Sequence, residues 1–159
     1  DADRTVPANF VQSPSQTTSL TTTANPSAGG TLSPSGTTTH NAGVQVTVTA
    51  TAESGYAFSS WTGACSGTGP CVVTMDADKT VTANFVQTFT LTTSASPVEG
   101  GTVTPSGSHT YHSGNQVTVS VLPVIDYDFT GWTGACDGTG SCVVTMSADT
   151  TGTATFTIV

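Results

Sequence analysis

Charge is the scarcest property of this chain. Only 8% of its 159 residues are charged, against roughly 25% in an ordinary soluble domain. Arg4 and Lys79 are its only arginine and lysine, and they stand against ten acidic residues, so the formal net charge is -8. Nucleic acids and anionic membrane surfaces are bound through clusters of Lys and Arg. The composition therefore excludes both as partners.

The sequence also lacks the apolar run of roughly 20 residues that a membrane-spanning helix needs. No stretch shows the 3.6-residue periodicity of an amphipathic helix either. In their place the chain is rich in Thr and Val, whose β-branched side chains favour the pleated sheet. The sequence therefore predicts an all-β protein that does not insert into a membrane.

The strongest internal signal is a repeat with an offset of 71 residues. The segment WTGACSGTGPCVVTM, which begins at Trp61, recurs as WTGACDGTGSCVVTM from Trp132 (132 − 61 = 71). The offset holds without gaps along the whole unit. Because self-similarity at a fixed period is the signature of tandem units, we expect two of them, 17–87 and 88–159.

Alternation of apolar and polar residues predicts six short strands per unit, which implies a small sandwich or a compact twisted sheet. Phe58 and Trp61 are three residues apart, and a bulge after Phe58 would turn both rings inward. The alternative for the tryptophans is an exposed platform that stacks on sugar rings. The strands predicted in the first unit lie near residues 20–24, 31–33, 44–50, 56–61, 72–75 and 81–85. The aromatic residues predicted to anchor the two cores are Phe58, Trp61, Phe85, Phe129, Trp132 and Phe156.

The first twelve residues repeat the end of the first unit. DADRTVPANFVQ at 1–12 matches DADKTVTANFVQ at 76–87, and a linker, 13–16, separates it from the first unit. A lone strand would leave its side chains and backbone groups without partners. We expect this segment either to close a preceding unit of a longer array or to be donated to a neighbouring subunit by strand addition. The side chains that it would donate are Val6, Ala8 and Phe10.

The sequence also suggests an acceptor for such a strand. Gly152 stands where the first unit has Val81, which predicts a weaker closing strand in the second unit. Donation from one chain to the second unit of the next is a head-to-tail contact that does not close, so it would build a fibre.

The four cysteines form two pairs with equal spacing. Each pair is six residues apart and brackets a Gly-rich loop, which can bring two Cα atoms within disulfide distance. Zinc sites more often use C-x₂₋₄-C spacing and four ligands, and a catalytic thiol is disfavoured because both members of the pair recur. One disulfide per unit, Cys65–Cys71 and Cys136–Cys142, is therefore predicted, and it implies an oxidising compartment.

The ordered motifs GGTLSPSG, GVQVTV, FSSWTGACSGTGPCVVTM and ADKTVTANF, with their second copies, resemble the divergent internalin-B-type bacterial repeat family. The resemblance covers residues 18–159 and the segment 1–12. It implies a secreted or cell-surface protein whose units serve as stalk, spacer or adhesion modules. The fold it implies is all-β, with two tandem small β-sandwich or β-grasp-like units. It supplies no catalytic residues.

No residue set indicates catalysis or a cofactor. The histidines, none of which occupies an equivalent place in both units, are His40, His109 and His112. Asp76 and Asp78 precede the closing strand and could contribute to a calcium site, but Ser147 replaces the first of them in the second unit. A local Asx turn is the commoner reason for Asp at such a place. We therefore expect no enzyme, no cofactor and no metal.

Rows of Thr, such as the one at 47–51, are open to three interpretations: outward residues that favour strands, carriers of O-glycans, or an ice-binding face. The function expected is a non-enzymatic extracellular stalk or filament subunit whose partners are copies of itself or neighbouring repeats. The alternative is an adhesin or carbohydrate-binding module of a larger secreted protein, with glycans as partners. A buried Trp61 favours the first and an exposed one the second.

Overall fold

The computed structural model of the protein describes residues 16–159. Most of the predicted linker lies outside this range, and so does the segment 1–12 with the residues predicted to be donated, Val6, Ala8 and Phe10. The strands of the first unit are β1 Thr17–Asn25, β2 Gly30–Ser33, β3 Gly36–Asn41, β4 Gln45–Ala52, β5 Tyr56–Gly63, β6 Cys71–Thr74 and β7 Lys79–Ser96. Those that follow are β8 Gly101–Thr104, β9 Gly107–His112, β10 Gln116–Pro123, β11 Tyr127–Gly134, β12 Cys142–Thr145 and β13 Thr150–Ile158. A single 3₁₀ turn precedes β2 and another precedes β8.

Each unit packs a four-stranded mixed sheet against a three-stranded antiparallel sheet. In the first unit the strand orders are β3-β1-β7-β5 and β2-β4-β6; in the second they are β9-β7-β13-β11 and β8-β10-β12. The first and last strands of each unit are parallel neighbours, and the other pairings are antiparallel. The prediction of an all-β fold with two tandem units is confirmed.

One long strand, β7, serves both units. Its first half pairs with β1 and β5, and its second half pairs with β9 and β13. The predicted boundary between residues 87 and 88 falls inside it. There the Gln87 carbonyl accepts a hydrogen bond from the Ser113 N–H, and the Thr88 N–H donates to the Gly55 carbonyl, both at 2.8 Å. Alternate side chains of β7 enter both cores: Val81, Ala83 and Phe85 in the first unit, Leu91 and Thr93 in the second.

Each unit has its own hydrophobic core between its two sheets. Close packing at the edge of the core requires glycine at Gly30, because a Cβ there would lie 2.3 Å from Phe85 Cζ. The side chains fully or almost fully buried in the first core include Leu20, Val48, Trp61, Val73, Met75, Val81 and Phe85; those in the second include Leu91, Val103, Val119, Trp132, Val144, Met146 and Phe156.

The structure has seven strands per unit instead of the predicted six. The strand that the prediction missed is β3 in the first unit and β9 in the second. The sequence of β3, GTTTHN, shows no apolar alternation because the strand lies at a sheet edge with only Thr38 and His40 half-buried. The third predicted strand also begins later than expected, since Val44 precedes β4 and is 44% exposed.

Gly152 leaves room in the second core. Its counterpart Val81 is 0% exposed, yet β13 pairs fully with β7 and β11 despite the missing side chain. A Cβ at Gly152 would lie 3.6 Å from Ala135 Cβ and 4.0 Å from Thr93 Cγ2, which are ordinary contact distances.

We predict that Gly152→Ala raises the free energy of unfolding of the second unit by about 0.5–1 kcal/mol, because glycine inside a strand loses more conformational entropy than alanine. Urea denaturation followed through Trp132 fluorescence measures the change. The matched control is Gly101→Ala, whose Cβ would lie 2.5 Å from Phe156 Cζ and should destabilise the same unit. A Gly152→Ala protein no more stable than the parent would contradict the prediction.

Candidate functional site

The described range holds no obvious chemical site. Among residues 16–159, no three His, Cys, Asp or Glu side chains are placed to share a metal ion. His40 Nε2 lies 2.7 Å from Thr38 Oγ1, whereas His109 Nε2 lies 2.9 Å from the Ser106 carbonyl oxygen, so the two rings have different surroundings. His112 ends β9 and is exposed. Within the same range, no helix has the length and apolar character to cross a membrane.

The repeated aspartate makes a long-range contact that the predicted local turn does not describe. Asp78 Oδ1 accepts the backbone N–H of Ser19 at 2.7 Å, and Asp149 Oδ1 accepts that of Thr90 at 2.7 Å. Each bond ties the start of a unit's last strand to its first strand. An open depression lies beside each carboxylate, of ≈ 450 Å³ at Asp78 and ≈ 620 Å³ at Asp149.

The tryptophan of each unit is enclosed by the Gly-rich loop. The register of β5 shifts between Phe58 and Ser60, which confirms the predicted bulge. Trp61 is 5% exposed, its ring centroid lies 4.9 Å from that of Phe58, and its Nε1 donates to the Gly69 carbonyl at 3.0 Å. Trp132 is 4% exposed, and its ring centroid lies 5.3 Å from that of Phe129. The other predicted anchors are the buried Phe85 and Phe156 and the half-buried Phe58 and Phe129.

Both predicted disulfides are confirmed. Cys65 is joined to Cys71 and Cys136 to Cys142, with 5.5 Å between the Cα atoms of each pair. In the first unit Cys65 follows β5 of the four-stranded sheet, and Cys71 begins β6 of the three-stranded sheet. Each disulfide therefore links the two sheets of its unit beside the tryptophan.

The two four-stranded sheets share β7 and so form one seven-stranded sheet, whose outer face carries a ladder of polar side chains that the sequence did not reveal. Neighbouring strands bond through these side chains at distances between 2.8 and 3.2 Å. Six Thr residues of this sheet therefore have partners on the next strand, whereas the row at 47–51 lies on β4 of the other sheet. The bonded pairs are Thr21–Thr37, Thr23–Thr82, Asn25–Asn84, Thr92–Ser108 and Ser94–Thr153.

We predict that iodide quenches neither tryptophan efficiently until the protein unfolds, because both indoles are enclosed. Trp61→Phe and Trp132→Phe proteins isolate the two signals, and the urea-denatured chains give the fully accessible reference. Efficient quenching in the folded state would contradict the burial and favour a sugar-binding surface.

We also predict that Trp132→Ala lowers the free energy of unfolding by about 3–5 kcal/mol, as expected for removal of a buried Trp side chain.

The two units also match a known family. A family model described as a divergent InlB B-repeat domain matches residues 20–88 and 91–159. Searches of curated proteins and of solved structures give no match. The two matched segments correspond to the two structural units and together cover most of the chain, so the protein belongs to the divergent InlB B-repeat family.

Proposed function

We propose that the protein is a non-enzymatic extracellular spacer whose repeat units hold a fixed position relative to one another. Tandem copies of this domain suggest an extracellular repeat protein, and the family is not known as enzymatic. The two disulfides agree with this location, because disulfides persist in oxidising compartments. Such a chain is suited to holding other parts of a surface protein at a distance.

The observation that carries this proposal is the continuity of β7. Relative motion is the default for domains joined by linkers, but here the connection is one hydrogen-bonded strand of 18 residues. At about 3.3 Å per residue such a strand spans about 60 Å. Its backbone is paired on both sides of the junction, through Gln87 to Ser113 and through Thr88 to Gly55. These bonds must break before the units can reorient.

The rival function, an adhesin or carbohydrate-binding module, has less support. Stacking on a sugar needs an aromatic face open to solvent, and Trp61 and Trp132 are only 5% and 4% exposed. The depressions beside Asp78 and Asp149 have no aromatic side chain in their lining, and the depression that Phe129 and Trp132 line meets a Trp132 that is almost fully buried. A spacer accounts for these features without a ligand.

We predict that the two units share one alignment tensor in residual dipolar coupling measurements of the folded chain. Insertion of Gly-Ser-Gly-Ser-Gly between Gln87 and Thr88 should interrupt β7 and give each unit its own tensor. The matched control places the same insert after Ile125, in a loop where that side chain is 88% exposed, and should leave the shared tensor unchanged. Independent tensors in the uninterrupted chain would contradict the spacer proposal.

We also propose that residues 1–12 mediate head-to-tail association. Their match to the closing strand of the first unit supports this, because a segment with that apolar alternation can add as a strand to a sheet of another copy. The acceptor place suggested by Gly152 is occupied by β13 itself, paired on both edges. A donated strand would therefore add to a sheet edge, such as that of β3 or β11, which also suits Pro7 because proline lacks an N–H to donate.

Deletion of residues 1–12 should leave two folded units that no longer assemble into fibres. Electron microscopy and light scattering compare the deleted and full chains at equal concentration, and circular dichroism checks the fold of each. Fibres that persist after the deletion would rule out the donor role. A full chain that stays monomeric would remove association altogether and leave the spacer proposal standing.

A further inference from the structure

The parallel pairing of first and last strands determines how a unit responds to tension. In the first unit, β1 and β7 are matched from Leu20 opposite Lys79 to Asn25 opposite Asn84. In the second unit, β7 and β13 are matched over an equivalent stretch that begins with Leu91 opposite Thr150. The chain thus enters each unit on one member of a parallel pair and leaves it on the other.

Tension along the chain would load this pair in shear. In a parallel pair, the start of one strand and the end of the other lie at opposite ends of the row of backbone hydrogen bonds that joins them. A pull on Thr17 and on the far end of the first half of β7 therefore slides the two strands along each other. All the hydrogen bonds between them share the load, whereas strands pulled apart from one end lose their bonds one after another.

Side-chain bonds reinforce the same two strand pairs. In the first unit the Asp78 carboxylate holds the Ser19 N–H at 2.7 Å, and the Thr23 and Thr82 hydroxyls lie 2.9 Å apart. In the second unit, Asp149 holds the Thr90 N–H at 2.7 Å. These contacts cross the interface that shear must break. The disulfides lie outside the loaded pairs, because they join the end of β5 to the start of β6 and the end of β11 to the start of β12.

We propose that each unit is a tension-bearing clamp, so that the chain transmits mechanical force along β7 from one unit to the next. This inference rests on the proposed spacer function, because a spacer bears the tension when the parts of the protein that it separates are pulled apart. It adds a property that rigidity alone does not give. A rigid spacer could still open at low force if its terminal strands were antiparallel neighbours.

Single-molecule pulling of the full chain tests the clamp by comparing two directions of force. Handles at the two termini load the parallel pairs in shear. Handles at the N terminus and at Lys79, the only lysine of the chain, load β1 and β7 from the same end and should peel them apart. We expect a clearly higher rupture force in the first geometry, and equal forces in the two would overturn the proposal.

A pair of variants tests the side-chain reinforcement. Asp78→Ala combined with Asp149→Ala should shift both rupture events to lower force. The control Asp137→Ala removes an exposed carboxylate from the disulfide loop and should leave both events unchanged. Reduction of the disulfides should increase the gain in chain length at each unfolding event by about 16 Å. Six extended residues span about 22 Å, whereas the disulfide holds the two Cα atoms 5.5 Å apart. This increment identifies each event as the unfolding of a repeat unit.

The clamp and the spacer can fail independently. Equal rupture forces together with a shared alignment tensor would reject the clamp and leave the spacer. High shear forces together with independent tensors would reject the rigid spacer and leave the clamp within each unit. High forces with a shared tensor, reduced in the Asp78→Ala/Asp149→Ala variant, support both.

Discussion

The pairing of β7 on both of its edges is the constraint on which the rest of the structure depends. Its first half is held between β1 and β5 and its second half between β9 and β13. Successive side chains of a strand point to opposite faces. The buried residues of β7, from Val81 to Thr93, are therefore all odd-numbered and enter the two cores. A single inserted or deleted residue near Gln87 would turn one half of the strand inside out relative to the other. The junction therefore tolerates little change in length.

Much of the fold could be predicted because its signals are local. The repeat offset predicted the two units, and the cysteine spacing predicted the disulfides. The spacing of three residues between Phe58 and Trp61 predicted the bulge. Strand β3 was missed because a polar edge strand has no apolar periodicity to detect. The bond from Asp78 to Ser19 was also missed, since it joins residues far apart in the sequence and depends on which strands become neighbours.

The two units act as internal controls for one another. Among their many differences, Gly152 stands where the first unit has Val81 and Ser147 where it has Asp76, yet the sheets and their registers are equivalent. What the two copies share indicates which contacts define the fold. Both keep the glycine that contacts the closing-strand phenylalanine, the enclosed tryptophan with its disulfide, and the aspartate that binds the first strand.

The polar ladder on the outer sheet bears on the conditions that the protein can endure. Its contacts join neutral hydroxyl and amide groups, which neither titrate near neutral pH nor weaken through ionic screening. Within residues 16–159, Lys79 and Asp76 form an ion pair at 2.7 Å. The lysine lowers the pKa of the exposed Asp76 carboxyl. Exposed ion pairs of this kind contribute little to stability. Brackish or dilute surroundings should thus leave this polar ladder largely intact, which suits the extracellular location proposed above.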